Sequence, residues 1–550
     1  MSSSKKKTND ILKQGTILAA ASIFVRMIGV MYRIPLNNLL GEDGNGIYGA
    51  AYKVYSIALI VSSYGLPLAV SRMVAAKNVQ GQYKNSHRIF INALIFATVI
   101  GAVVGGLIYF GADFFASFIG LSRAAMPLRV LAPTIFCVAV LGVLRGFFQG
   151  HNTMVPTAIS QVLEQIVNAV ISCVAAYAFI SVCTNPDNKA VFGATGSTVG
   201  TFSGALVALL FMVGVYCLNR PVFKRKMDHD RHPVERNKVI YSMLFMTVVP
   251  VILSQTVYQI SGLVDTSIFG NVMKTNGMSE NIVERLMGAF TGQYNVLISV
   301  PLGIATAMGT SINPSIVASY TKGNMVEVKH KVKTVIKFNM LLAFPCAVGL
   351  AVLATPVNIL LFPRLITYRA VASNMLLFGS TSLIFYALST VTSGVLQALD
   401  HMSLPVIHSA ISLIVHVILV YLLLRFTNLG VYALIVGDVT FPLLVCILNW
   451  RSVGKALNYK QEVRTTFGLP AIAAVIMGVC CLITYKILHL ILGIFGSYVQ
   501  NALCTILSIC VAAVVYFVAL LALKTVTEEE LLEMPMGRTL FSIARKMHLI

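Results

Sequence analysis

The sequence predicts an all-α polytopic membrane protein of about fourteen transmembrane helices, and three observations carry that prediction. Of the 550 residues, 57% are hydrophobic and only 11% are charged, where a soluble domain has roughly 25% charged residues. Apolar stretches of about 20 residues recur from end to end, each long enough to cross a hydrocarbon core of about 30 Å. Basic residues gather in alternate loops, the pattern of a chain threaded back and forth through a bilayer. Mean hydropathy is +0.81.

The first span is read at 13–37. Lys5, Lys6 and Lys7 ahead of it imitate a signal peptide. The stretch is long, holds Arg26 and Arg33 and lacks a small-residue cleavage site, so it reads as a retained helix. Spans 2 to 6 follow at 47–70, 89–111, 125–149, 157–183 and 194–217. A long basic loop precedes spans 7 to 12, at 239–270, 289–319, 333–357, 369–398, 404–427 and 429–450. Spans 13 and 14 occupy 467–492 and 498–523. Several are longer than an upright crossing needs, which implies tilt or ends standing in water. The loops are too short to hold an extramembrane domain. The tail, from Thr527-Glu528-Glu529-Glu530 to Arg545-Lys546, opens like a capping box and ends amphipathic. It predicts a helix lying on the membrane surface.

The net charge of +21 would suit nucleic acid, but its placement argues for topology. With the amino terminus inside, the inner loops collect 28 of the 41 lysines and arginines and the outer loops 7. Both termini are then cytoplasmic. The ten cysteines lie within or at the ends of apolar spans, without metal-ligand spacing, and read as small packing residues. No cofactor and no metal is expected.

The chain also repeats itself weakly. Pro67-Leu68 followed by Gly81 resembles Pro301-Leu302 followed by Gly323. Arg145-Gly146-Phe-Phe-Gln149 with Met154 and Pro156 echoes Ser393-Gly394-Val-Leu-Gln397 with Met402 and Pro405. Two six-helix lobes follow, at 1–218 and 239–450, joined by a basic linker at 219–238. Two extra helices occupy 451–523 and a tail 524–550. Transporters built from repeats commonly hold substrate between such lobes near the midplane.

Charges inside spans are costly, so they point to function. Ser22, Arg26, Gly29, Arg33 and Asn37 share one face of span 1. Lys53, with Tyr48, Tyr52 and Tyr55 around it in span 2, could complete a cationic cluster. Three nearby cations need an anion, and an anionic substrate group is the simplest partner. Arginine's planar fork suits phosphate oxygens. The competing reading has Arg33 snorkelling to the interface and Arg26 on a backbone carbonyl. Gln161, Glu164 and Asn168 share a face of span 5 that a short turn folds back towards Arg145. A structural pair and a gating role both fit. In span 7, Ser254, Tyr258, Ser261 and Asp265 line one face. Asp265 reads equally as an ion or proton site and as a polar cap. Asp400-His401 reads as plain turn chemistry.

The string Leu144-Arg145-Gly146-x-Phe148-Gln149-Gly150, with Pro156 and Ser160-Gln161-x-x-Glu164-Gln165, resembles the polysaccharide-exporter branch of the multidrug/oligosaccharidyl-lipid/polysaccharide (MOP) transporter superfamily. Within it, the chain is similar to the stage V sporulation protein B group, which includes MurJ-type lipid II flippases. Gly41-Glu42-x-Gly44-x-Gly46-x-Tyr48 and Gly65-Leu66-Pro67-x-Ala69-x-Ser71 carry the likeness further. The resemblance implies a MATE/MurJ-like fold and alternating access between two lobes in a bacterial cytoplasmic membrane. It also implies export of an undecaprenyl-pyrophosphate-linked sugar such as lipid II, with H+ or Na+ as a possible coupling ion. Ser22-x-x-x-Arg26-x-x-Gly29 resembles the start of MurJ proteins, whose first-helix arginines line the cavity. Those proteins place a second arginine six residues on, where Arg33 here is seven on. They also carry a basic residue in helix 8, where this chain has none between Arg285 and Lys322.

Two other classes compete. A multidrug exporter of the same superfamily would share the architecture, but Arg26 and Arg33 would repel cationic drugs. A membrane-embedded glycosyltransferase or polymerase would need a catalytic acid near a substrate loop. The outer acids Glu42, Asp43, Asp113, Asp187, Glu280 and Glu284 instead lie scattered on short loops.

Overall fold

The structure is a computed structural model that describes residue 18, residues 21–311, 313–459, 461–493 and 496–526, and residues 528 and 530. The basic start at Lys5–Lys7 and the tail beyond Glu530 lie outside the described residues. All described regular elements are helical, as the apolar periodicity requires. A spanning segment must satisfy its own backbone hydrogen bonds once water is gone.

Among the described residues, ten helices are long and apolar enough to cross a membrane, and a bent pair makes an eleventh. The first of the ten runs Ala21–Val79 and contains spans 1 and 2, because the chain breaks at Gly41 (φ 71°, ψ −179°). Asn45 pins that break by donating to the carbonyls of Asn37 and Gly41 at 2.8 and 2.7 Å. We label α1 as Arg33–Leu59, α2 as Leu66–Val79, α3 as Tyr83–Phe110, α4 as Ala125–Gly150, α5 as Val155–Val182, α6 as Lys189–Asp228 and α7 as Asn237–Thr275. Then follow α8 (Glu280–Gly288), α9 (Asn295–Ser311), α10 (Asn313–Thr321) and α11 (Met325–Val352). The bent pair is α12 (Arg369–Gly379) and α13 (Ser382–Ala398), with 47° between them. The last four are α14 (Ser403–Phe426), α15 (Tyr432–Leu457), α16 (Leu469–Ile491) and α17 (Ser497–Ala522). With α7 and the α9–α10 run included, these helices accommodate fourteen spans.

The chain packs as two compact units, Met1–Gly288 and Ala289–Ile550. The packing boundary therefore falls later than the linker at 219–238 that the repeat suggests. The reason is local: α7 and α8 pack against α1. The first stretch of that linker is itself helical, because α6 continues to Asp228. Its remainder is fastened to the α2–α3 turn. Asp230 accepts the Lys84 amide at 2.7 Å and the His232 amide at 2.9 Å. Asn85 donates to the Pro233 carbonyl at 2.9 Å and accepts the Glu235 amide at 2.9 Å, and Lys77 pairs with Glu235. Burial alone would raise the Asp230 pKa, but these amide bonds and the His232 imidazole hold it at about 2.

The internal repeat is visible in the backbone. Gly81 and Gly323 both turn with φ 72°. The amide of residue 82 reaches the carbonyl of Lys77 at 2.9 Å, as that of residue 324 reaches Ser319 at 3.1 Å. The second echo behaves alike: Asn152 (φ 58°) and Asp400 (φ 66°) occupy matching left-handed positions after α4 and α13. A short π-turn also interrupts both halves, at Ile60–Tyr64 and at Ala289–Tyr294.

Candidate functional site

In the first unit, Tyr48, Tyr52 and Tyr55 sit at i, i+4 and i+7 of α1 on one face, with Tyr48 stacked on Tyr52 and Tyr55 tilted against it. Ring centres are 5.7 Å apart for Tyr48–Tyr52 and 5.5 Å for Tyr52–Tyr55. The Arg33 guanidinium lies 5.8 Å from the centre of the Tyr52 ring, within the range of a cation–π contact. The polar groups acting on it are the hydroxyls of Tyr32, Tyr48 and Tyr52. Among the described residues, no carboxylate forms an ion pair with Arg33.

The neighbouring acid is already committed. Arg145 on α4 donates from Nη2 to Glu164 Oε2 at 2.8 Å and from Nε to Ser160 Oγ at 2.9 Å. Glu164 is set by the α5–α6 seam. Gly196, Gly200 and Gly204 present bare Cα atoms to α5, and a methyl at Gly204 would lie 2.5 Å from the Glu164 carbonyl. That spacing of small residues lets two helices close on each other without side chains between them. On the same face Asn168 donates to the Tyr32 hydroxyl at 3.4 Å and accepts from Ser172 at 2.9 Å. Gln161 keeps a buried Oε1 without a hydrogen-bond partner among the described residues. Glu164 also acts electrostatically on Tyr52 and Tyr55. The Arg33 cluster and the Arg145–Glu164 pair are thus one continuous polar wall.

Lys53 is half-buried, and its amine rests on the bare Cα of Gly262 in α7, where a methyl would lie 2.4 Å from Nζ. Ser261, next to that glycine in α7, is half-buried, and Asp265, one turn on, is buried. The side chains of Ser254 and Tyr258 lie outside the described residues. Arg26, two turns before Arg33, is exposed, while Gly29 between them packs against Gln165.

A second constellation gathers at the end of this unit remote from the basic loops. Arg123 donates to Glu284 Oε2 at 2.7 Å, to Asn281 Oδ1 at 3.1 Å and to the Asp187 carbonyl. Glu280 accepts the Ser122 amide at 2.7 Å, and Arg285 pairs with Asp43 at 2.6 Å. Backbones interlock beside it: a methyl on Gly46 would lie 1.9 Å from the Glu284 carbonyl, and one on Gly288 1.9 Å from that of Glu42. The Glu284 carboxyl is fully buried with Oε1 unpartnered among the described residues. Burial raises its pKa to about 7, against the opposing pull of Arg123. A polar cavity of about 600 Å³ opens next to this clasp, between Asp43, Arg123, Asp187, Lys189 and Arg285. Sequence reading scatters these charges over separate loops. The available signal was Glu280-x-x-x-Glu284-Arg285, which puts both acids on one face of a short helix.

Residues 11–320 match the polysaccharide biosynthesis protein family and residues 250–422 match MatE. The lipid II flippase MurJ of Bacillus subtilis (strain 168) is 25% identical, over 92% of this chain and 94% of that one. Stage V sporulation protein B of the same organism is 24% identical, over 95% and 97%. Among solved structures, a lipid II flippase MurJ in an inward closed conformation superposes with a TM-score of 0.66 at 14% identity, over 92% of this chain and 98% of that one. An inward-facing multidrug resistance MATE family transporter of the MOP superfamily gives 0.62 at 17%, over 79% and 96%. The multi-pass membrane fold is that of MurJ and MATE transporters, and the chain is a transporter-type membrane protein rather than an enzyme.

Proposed function

Because the chain belongs to the polysaccharide biosynthesis protein family, with the fold of MOP transporters, we propose that it flips an undecaprenyl-pyrophosphate-linked sugar of the lipid II type. Transport runs from the inner to the outer leaflet of the bacterial cytoplasmic membrane by alternating access, with both termini in the cytoplasm. The observation that carries this reading is the environment of Arg33. It is a cation held among tyrosines, while the acid on the adjoining wall is bound to Arg145. A pyrophosphate supplies the missing negative charge with oxygens spaced for a guanidinium fork. Arg26, nearer the start of the first span, and Lys53, beside α7, are the further cations we assign to that group.

Of the three tyrosines, Tyr48 and Tyr55 are buried and Tyr52 is half-buried, so the Tyr52 ring is the aromatic surface that the sugar could meet. Gln161 and Asn168 add amide groups along the same wall, and Ser261 a hydroxyl on α7. Arg145–Glu164 serves as a structural brace that keeps α4 and α5 in register during the cycle. Asp265, buried on α7, is a candidate for the coupling ion. Export of cationic drugs is the poorer reading, because the cations of this wall would repel them.

The test is complementation of cells depleted of their lipid II flippase. Growth with normal precursor export supports the lipid II reading. Insertion at normal levels without export rejects it.

A further inference from the structure

We propose that the second unit carries a proton-binding site at His408 Nε2, reached through Ser452; as a coupling site, it rests on the transporter reading above. The site lies where α14 and α15 pack on α13. His408 Nδ1 is 2.7 Å from Asn449 Oδ1, and Nε2 is 3.3 Å from Ser452 Oγ. His408 and Asn449 are both buried, whereas Ser452 is half-buried.

The hydrogen-bond inventory fixes which nitrogen is free. Thr392 Oγ1 has one proton and donates it to the Leu388 carbonyl at 2.8 Å. It can therefore only accept from Asn449 Nδ2, which lies 3.0 Å away and also reaches the Ser389 carbonyl at 3.4 Å. A carbonyl cannot donate, so the amide of Asn449 is oriented with nitrogen towards α13 and oxygen towards the imidazole. The oxygen demands a proton on Nδ1. Neutral His408 then has its lone pair on Nε2, facing a hydroxyl.

A hydroxyl is the partner that tolerates both protonation states. Ser452 donates to neutral Nε2. After uptake of a proton it rotates and accepts from Nε2–H, while the Nδ1–H bond to Asn449 becomes charge-assisted and stronger. No side chain other than this hydroxyl needs to move. The site sits five residues into α14 and five from the end of α15, which is about 7.5 Å of helix in each, on the side of the basic loops.

The charged surroundings are sparse. On α13, Tyr386 is the lone ionisable residue. On α15, Asp438 is three turns further in, and Arg451 and Lys455 lie towards the helix end. On α14 itself, His416 is two turns further in and Arg425 near the far end. The turn before α14 adds Asp400 and His401. A proton added at His408 changes the packing electrostatics of three helices at once.

The internal repeat sharpens the assignment. At the offset of 248 residues that relates the starts of α5 and α14, Arg145, Ser160 and Glu164 correspond to Ser393, His408 and Ser412. The first unit holds a permanent ion pair at this crossing. The second holds a histidine whose charge is optional.

The experiment uses the full-length protein in lipid nanodiscs, with ¹⁵N-histidine labelling and His408→Asn as the reference that identifies the resonance. At pH 8 the His408 signals should show Nδ1 protonated and Nε2 bare, and on acidification Nε2 should gain the proton while the fold is kept. Substrate movement by the same protein in liposomes should vary with inner pH, as expected where a histidine takes up a proton. In His408→Asn, which keeps a donor for Asn449, that dependence should flatten while transport continues. An Nε2–H tautomer at pH 8, no titration down to pH 5, or a His408→Asn variant with the wild-type pH profile each overturns the proposal. If wild-type protein moves no lipid-linked sugar, the transport reading fails instead, and the resonance titration still decides whether His408 binds a proton.

Discussion

Arg145 Nη2 and Glu164 Oε2 lie 2.8 Å apart across the α4–α5 crossing. Their side chains are 13% and 30% exposed, so solvent screens the pair only in part. Glu164→Leu should destabilise the protein by about 1–3 kcal/mol, because it strands the Arg145 charge. The double replacement Arg145→Met with Glu164→Leu should recover much of that loss. Thermal unfolding in detergent of both single variants and the double gives the coupling. If the two single effects simply add, the pair is not the brace described here.

Glu284 gives a pH dependence whose sign is opposite to that of an ordinary salt-bridged acid. Its pKa is about 7 in the folded state against 4.5 for a free glutamate. Between these values the folded protein holds a proton that the unfolded chain has lost. Stability is therefore full below about pH 4.5 and falls as pH rises to about 7, by up to ~3 kcal/mol. Glu284→Gln keeps the carbonyl that accepts from Arg123 and removes the titration. It should raise the melting temperature at pH 8 and leave it nearly unchanged at pH 5. A variant less stable than wild type at pH 8 would show that the Arg123 charge outweighs burial.

Gly46 and Gly288 let two backbones touch, and neither site has room for a methyl. Gly46→Ala and Gly288→Ala should each lower the melting temperature by several degrees, and transport should fall with them if α8 must seat at each cycle. Gly106→Ala, at a helical glycine with open space around it, is the control and should be neutral or slightly stabilising. Equal tolerance at all three positions would mean that the interlock relaxes without cost.

The helices were legible because lipid enforces the signal: about twenty apolar residues per crossing and basic residues between alternate ones. The repeat was legible because its echoes fall on turns, and Gly81 and Gly323 show the same left-handed backbone. Spacing on one face brought out the Arg145–Glu164 contact, since a short turn leaves α5 only one direction to fold. The Arg123–Glu284 clasp was not legible. It joins charges about 160 residues apart, and in a linear reading each is a separate loop charge. Nor does spacing reveal that Arg26 is exposed where Arg33 is half-buried. That difference depends on which neighbours reach the first turns of the helix. His408 was hidden for another reason. A single histidine among apolar residues carries no pattern until Asn449 and Thr392 are placed beside it.

Orientation follows from the basic loops alone, so it calls for its own measurement. In a cysteine-free background, Asp187→Cys should react with an impermeant thiol reagent on intact cells. Asp228→Cys should react only after permeabilisation. Both side chains are exposed, so labelling is limited by the membrane rather than by burial. The reverse pattern would invert the topology and the proposed direction of transport.

The central claim is that Arg33, with Arg26 and Lys53, binds the pyrophosphate of the substrate. The most direct measurement is the rate at which liposomes containing the purified protein move a labelled polyprenyl-pyrophosphate sugar. Arg33→Ala should slow it at least ~10-fold, the effect of losing one or more charge-assisted hydrogen bonds. Arg33→Lys should recover only part, since a point charge replaces a fork. Lys486→Ala, on α16, should leave the rate unchanged. A polyprenyl-monophosphate sugar should lose less on Arg33→Ala than the pyrophosphate does. Wild-type rates in Arg33→Ala at equal protein density would contradict the claim.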